Sequence, residues 1–252
     1  MWNGKLKALT FSFDDGVNQD IRAIEILNKY GLKATFNLNS SLFGLDAKLE
    51  RNGRVVNHNK IGINKVREVY KNHEVASHTL VHPTLTKQND ESVIYQVKED
   101  VNALSRIFDR EIVGFAYPGG GVNFDDRVAN LIKTNTNLKY ARTTISTHNF
   151  DLQDDLFVFK PSVYYIEDCL FDLCKDFLNL KTDKPQLLYI WGHTYEMDAD
   201  YISWEKFEEF CNFVQLDSDV NVYILDQNSQ LAYTTEPSEN RQEQILSTLK
   251  GN

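Results

Sequence analysis

Thr10–Phe11–Ser12–Phe13–Asp14–Asp15–Gly16 is the stretch from which the fold is read. Leu9, Phe11 and Phe13 alternate with Ala8, Thr10 and Ser12, the period of a strand with two distinct faces. The strand ends in two adjacent carboxylates and a glycine. Neighbouring strand residues point to opposite sides, so Asp14 and Asp15 share one site only if the backbone turns there, and Gly16 permits that turn. By themselves these residues also suit a solvated turn before a helix. Two buried acids without a task are costly, so the choice falls to what the rest of the chain brings to the same place.

Outward from that strand, strand and helix signals alternate. Asp20–Tyr30 carries Ile21, Ile24 and Leu27 on one face and stops at Gly31. Lys33–Leu38 reads as a strand, 40–62 as a long polar loop, Asn64–Lys71 as a short helix and Glu74–Ser77 as a strand. A loop of that length in a compact domain usually covers a site. Asn89–Phe108 is the clearest helix, with Val93, Val97, Val101, Leu104 and Phe108 in one stripe. Then follow a strand at Ile112–Ala116, a helix at Asp125–Thr134, a strand at Leu138–Thr143, extended chain at Phe157–Tyr165 and a helix at Ile166–Leu178. Gln186–Trp191 is a strand apolar enough to be buried on both faces. Trp204–Gln215 is a helix and Val220–Leu225 a final strand. The tail after about 235 is polar. No repeat or low-complexity linker divides the series, so 1–252 reads as a single domain. Repeated βα units build a parallel sheet, and seven or eight of them fit a barrel better than a doubly wound sheet. No glycine-rich dinucleotide fingerprint follows the first strand.

The composition narrows the partners. The chain has 252 residues and a net charge of −9, which disfavours nucleic acid and anionic membranes. No apolar run approaches the roughly 20 residues of a membrane span, and Met1 to Lys7 lacks a signal-peptide core. The expected location is cytoplasmic, or secreted with a leader that this sequence does not carry. Cys169, Cys174 and Cys211 are odd in number and lack metal-type spacing, which marks them as small core residues.

Barrel enzymes carry their chemistry on the loops after the strands' C-terminal ends, and the reactive side chains of this chain fall there. Asp14 and Asp15 follow the first strand. His78 and His82 follow the Glu74–Ser77 strand, Pro118 and Gly119–Gly121 the strand ending at Ala116, Arg142 the next, and His193 and Glu196 the apolar strand ending at Trp191. His78 and His82 are four apart, a spacing that on one helical turn brings two imidazoles to one ion. Two histidines and a carboxylate leave open positions, as in hydrolytic zinc sites, where a bound water becomes a nucleophile near neutral pH. His193, at a strand end among these groups, reads as a general acid. Bare backbone N–H groups in the glycine run suit an oxyanion. Tyr117 and Trp191 read equally as core, as pocket wall or as sugar-stacking platforms.

These motifs resemble the polysaccharide deacetylase family, the carbohydrate esterases related to chitin, chitooligosaccharide and peptidoglycan deacetylases. The resemblance rests on residues 10–16, His78-Thr-Leu-Val-His82, the Pro118–Gly120 turn and Leu188–Trp191 ending at His193, in the family's order. It implies a distorted (β/α) barrel of about seven units, Asp14 as general base, Asp15, His78 and His82 as ligands of a divalent metal such as Zn2+, and His193 as general acid. It also implies an acetylated carbohydrate as substrate, attacked at an N-acetyl or O-acetyl group. Two positions depart from the pattern. Ala116 stands where the family has an arginine that holds the base, with Arg142 as substitute or as an ordinary salt-bridging residue. Gly119 stands where the family has an aromatic residue. The family's aspartate that tunes the acid histidine has three candidates here: Asp151, Asp155 and Glu196. These departures keep two other readings open, a hydrolase of a small non-sugar amide and a catalytically silent carbohydrate-binding protein.

Overall fold

The computed structural model describes residues 5–215, 220–225 and 231–233. The elements run β1 (Lys7–Asp14), α1 (Asp20–Lys29), β2 (Ala34–Leu38), β3 (Lys48–Arg51), β4 (Arg54–Asn57), α2 (Ile63–Val69), β5 (Glu74–Ser77), α3 (Asp90–Phe108) and β6 (Gly114–Ala116). They continue with α4 (Asp126–Asn135), β7 (Tyr140–Arg142), β8 (Val163–Tyr164), α5 (Leu170–Asn179), β9 (Gln186–Gly192), α6 (Tyr195–Asp198), α7 (Trp204–Gln215), β10 (Val220–Leu225) and β11 (Leu231–Tyr233).

β1 is buried at every position and lies at the centre of the sheet. One edge pairs in parallel with β9 from Lys7↔Gln186 to Phe13↔Gly192. The other edge is shared: β10 runs beside Lys7–Leu9 and β2 beside Phe11–Asp14. From β2 the parallel order continues through β5, β6 and β7, while β9 pairs with β8. Seven of these parallel strands, β1, β2 and β5 to β9, curl into a half-barrel, a distorted (β/α)7 barrel, as the βα alternation predicts, with β10 alongside the start of β1. A parallel bridge, Arg142↔Phe159, joins β7 to the segment leading into β8.

The two faces of β1 have different partners. Leu9, Phe11 and Phe13 pack outward with Ala23 and Leu27 of α1 and Phe207 and Phe210 of α7. A buried phenylalanine contributes about 1.5–3 kcal/mol. Ala8, on the other face, meets Tyr140, Phe159, Leu187 and Tyr189 in the barrel interior. Asp14 shares that inward parity, which sets its carboxylate over the barrel axis. α3 is capped by the Asn89 side chain, which accepts the Ser92 N–H at 2.9 Å, and ends at Asp109 in the left-handed region at φ 54°.

Three expectations change. The 40–62 stretch is not irregular throughout: β3 and β4 form an antiparallel hairpin across Asn52–Gly53, at φ 52° and 69°. Both turn residues are left-handed, the geometry for which Asn-Gly is suited. The hairpin strands are mostly polar and bury Val56 alone, so periodicity does not reveal them. Val220–Leu225 is a strand but not the last, because β11 pairs with it antiparallel. Phe157–Tyr165 is a short 3-10 turn at Leu156–Val158 followed by β8, and α5 begins only at Leu170. The polar tail after about 235 lies outside the described residues. Among the described residues no helix is long and apolar enough to cross a membrane.

Candidate active site

The C-terminal ends of β1, β5, β6 and β9, roofed by the hairpin loop, enclose a cavity of about 520 Å³. Asp14, Asp15, His82, Gly119, Trp191 and His193 line it, with Leu49 and Arg51 from the hairpin.

The turn after β1 is made by two successive left-handed residues, Asp15 at φ 86° and Gly16 at φ 64°. For a non-glycine residue that conformation costs about 1–3 kcal/mol and persists only where its surroundings hold it. They do: the Asp15 N–H donates to Asn37 O at 3.0 Å, and Lys60 Nζ donates to Asp15 O at 2.7 Å. Both carboxylates therefore face one cavity, although neighbouring strand residues would diverge.

Asp14 is 2% exposed. Its carboxylate accepts Asn37 Nδ2 at 2.7 Å and forms an ion pair with the fully buried Arg142. Burial pushes the carboxyl up, but Arg142, with His78 and His193, overrides it and holds Asp14 below its ordinary value. Arg142 reaches Asp14 from the end of β7, the strand next to β6, where it lies in register with Ala116. Asp15 is likewise opposed by burial, and the hydrogen bond from His58 together with Lys60 holds it well below the usual carboxylate range. His58 Nε2 donates to Asp15 Oδ2 at 3.2 Å, and Lys60 Nζ lies 3.4 Å from Oδ1.

His78 and His82 do not sit on a helical turn. Thr79 and His82 are left-handed, at φ 69° and 59°, and the segment is a loop stitched by the His82 N–H to Thr79 Oγ1 at 3.0 Å and by Asn39 Nδ2 to Thr79 O at 2.9 Å. The two rings still meet, 4.8 Å apart between centroids. His78 Nδ1–H donates to Ala116 O at 2.8 Å, which leaves the Nε2 lone pair free for a ligand. Burial lowers the His78 pKa to about 4, so the ring is neutral near pH 7. Below it, buried Asp100 accepts Ser77 Oγ at 2.6 Å and the His78 N–H at 3.3 Å.

One ligand atom from each of Asp15, His78 and His82 lies within 4.8 Å of the other two. An ionised carboxylate and two imidazoles, one with its tautomer set by a carbonyl, are a donor set that fits a borderline divalent ion such as Zn2+.

His193 follows β9. Its Nε2 is 3.9 Å from Asp14 Oδ2, and its Nδ1 is 3.2 Å from Glu196 Oε1. The other Glu196 oxygen accepts the His193 N–H at 3.1 Å, and Tyr164 OH donates to Glu196. Burial lowers the His193 pKa and raises that of Glu196. Of the three acids weighed as its partner, Glu196 is the one in place. Asp151 binds Gln186, and Asp155 caps the Leu156–Val158 turn.

The aromatic candidates separate. Tyr117 is a correction: it is fully buried against Phe115 and Phe124, its hydroxyl donates to Phe157 O at 2.8 Å, and it does not line the cavity. Trp191 does line it, but Tyr164 is stacked on its ring at 4.3 Å and the Arg142 guanidinium lies 4.7 Å from its centroid. It is a wall rather than an open platform. Cys174 and Cys211 are buried as expected, whereas Cys169 is exposed. His58, Lys60 and Tyr164 escaped the sequence reading. The only signal for the first two was a long loop expected to cover a site.

The sequence profile of the polysaccharide deacetylase family matches residues 3–140. The fold is similar to that of a family 4 carbohydrate esterase from Streptomyces lividans in complex with acetate, with a TM-score of 0.55 and 12% identity over 92% of this chain and 99% of that one. It is also similar to the peptidoglycan deacetylase PdaC from Bacillus subtilis, with a TM-score of 0.51 and 18% identity over 99% of this chain and 98% of that one. The Streptococcus pyogenes deacetylase PplD, in complex with acetate, aligns at 22% identity and a TM-score of 0.46 over 54% of this chain, and the match spans about half, 55%, of its length. No curated protein sequence matches the chain. With its profile matched over more than half of its length and its strands curled in the same way, the chain belongs to the polysaccharide deacetylase family.

Proposed function

We propose that the chain is a metal-dependent hydrolase that removes the acetyl group from an N-acetylated carbohydrate. The observation that carries this reading is the meeting of a three-donor set, Asp15, His78 and His82, with Asp14 and His193 in one cavity. Membership of the polysaccharide deacetylase family supports the substrate class.

Asp15, His78 and His82 would hold the ion, for which Zn2+ suits the ligand types. When bound, such an ion supplies Lewis acidity and lowers the pKa of water toward about 7. Asp14, ionised and fixed by Arg142 and Asn37, takes the proton of the attacking water. Gly119 lines the cavity at φ 81°, and its N–H has no acceptor among the described residues, so it is free to donate to the oxygen on which negative charge develops. His193, across from Asp14, gives a proton to the departing nitrogen. Burial makes its protonated form a stronger acid, while the charges of Asp14 and Asp15 favour that form in the resting site. Glu196 holds the ring from behind.

The test is acetate release from an N-acetylglucosamine oligomer by metal-stripped protein before and after Zn2+ is restored, with a small acetamide in parallel. Activity that returns with Zn2+ and favours the oligomer is the expected result. Full activity in the stripped protein, or preference for the small amide, would overturn the reading.

A further inference from the structure

Outside the active site, His148, Glu167 and Cys169 place three more ligand atoms within 4.8 Å of one another. Their arrangement is prepared by the chain around them. His148 is left-handed at φ 52°, a position seldom taken by a residue with a side chain, and is pinned there by its N–H to Ser162 O at 2.9 Å and by the Thr147 N–H to Pro161 O at 2.9 Å. One oxygen of Glu167 is saturated by protein donors, Ser146 Oγ at 2.5 Å and the Tyr164 N–H at 2.9 Å. Its other oxygen is left to His148 Nε2 at 2.5 Å and to Cys169 Sγ at 3.9 Å. An ordinary surface ion pair needs no such support, whereas ligating carboxylates are themselves hydrogen-bonded. Cys169 is the N-cap residue just before α5 and is exposed.

We propose that His148 Nε2, Glu167 Oε2 and Cys169 Sγ form a second divalent-metal site, suited to Zn2+, with a water in the fourth position. Imidazole, thiolate and carboxylate together select a borderline ion over Mg2+ or Ca2+. Binding releases the thiol proton to solvent. Two ligands at zinc distances on a tetrahedron sit about 3.3 Å apart, so the His148–Glu167 hydrogen bond opens by roughly 1 Å as the ion enters. The His148 side chain is 51% exposed and has room to make that movement. The ion would tie the 145–148 loop to the turn before α5. Between them runs Tyr164, whose ring covers Trp191 and whose hydroxyl reaches Glu196. The site is thus placed to stiffen one wall of the active-site cavity.

The experiment titrates metal-stripped full-length chain with Co2+ and reads the thiolate-to-cobalt charge-transfer absorption. The Asp15–His78–His82 set has no sulfur, so the signal reports the second site whatever happens at the first. The expected result is a band that saturates at one thiolate-bound ion per chain and is displaced by Zn2+. It should be lost in Cys169→Ser, and about 10-fold or more Co2+ should be needed in His148→Ala. Both positions are exposed, so neither change threatens the fold. No band in the wild-type chain, a band that survives Cys169→Ser, or unchanged affinity in His148→Ala would overturn the three-ligand site.

Discussion

Arg142→Met is the substitution that asks most of the structure. Arg142 is fully buried and its partner Asp14 is 2% exposed, so the change leaves a carboxylate with nowhere to be solvated. Asp14 keeps the Asn37 hydrogen bond at 2.7 Å, and the nearest remaining cationic candidates are His78 and His193, at 4.0 and 3.9 Å. Both rings have lowered pKa values and do not replace the guanidinium. At an effective dielectric of 20, an opposite charge about 4 Å away is worth about 4 kcal/mol. Removing one member of a buried pair costs about 3–5 kcal/mol, and the two figures agree. For a chain of this size that is a fall in Tm of about 6–20 °C. The sign of the pH effect follows from Asp14. In the wild type its folded pKa lies below the unfolded one, so the pair stabilises above the unfolded value and the benefit is lost as pH falls through the folded value. In the variant, burial acts without Arg142 and the folded pKa rises above the unfolded one. The deficit is then largest near neutral pH and shrinks as pH falls and Asp14 takes up a proton. Urea unfolding of the metal-free protein at pH 7 and pH 5 reads this directly. Asp14→Asn/Arg142→Met should recover most of the loss, because removing both charges is nearly neutral. A single variant within 1 kcal/mol of the wild type, or a double variant no more stable than the single one, would refute the coupling.

Three further outcomes follow from the same geometry. His82→Ala should bind markedly less Zn2+ by elemental analysis at the Asp15–His78–His82 site, while unfolding as the wild type does, because the His82 side chain is 32% exposed. Glu196→Ala should lower kcat by roughly 100-fold with little change in KM, since it frees the His193 ring while Asp14, Asp15, His78 and His82 stay in place, as steady-state kinetics will show. Gly192→Ala should destabilise by about 1–3 kcal/mol in urea, because the added Cβ overlaps the Tyr165 ring. It should also cut activity, because Tyr165 OH anchors the His193 carbonyl at 2.6 Å.

What was legible from the chain is a matter of periodicity and place. Leu9, Phe11 and Phe13 alternate against small and polar residues because one face of β1 meets helices and the other meets a narrow interior. That alternation, repeated in βα units, is enough for a barrel and for the rule that strand ends carry the chemistry. The histidine pair shows the limit. Four-residue spacing suggested a helical turn, but left-handed Thr79 and His82 bring the rings together in a loop, and such φ values leave no trace in residue spacing. The hairpin over the cavity left a faint trace, Asn52–Gly53, but its strands bury too little to show a period. Its neighbours His58 and Lys60 reach Asp15 only through tertiary folding. Arg142 and Glu196 were visible as charges near strand ends. That one closes on Asp14 and the other on His193 depends on barrel curvature and on the short α6 turn, which local sequence does not encode. Of the readings open for Tyr117 the structure takes the core, whereas Cys169, expected in the core from its helix-like stretch, stayed at the surface.

The most direct test is a mass spectrum of an N-acetylglucosamine oligomer incubated with Zn2+-loaded wild-type protein and, separately, with Asp14→Asn carrying the same amount of Zn2+. The account predicts a loss of about 42 Da per acetyl group with the wild type, at a rate reduced at least about 100-fold in the variant. An oligomer of unchanged mass after wild-type treatment, or equal conversion by both proteins, would contradict it.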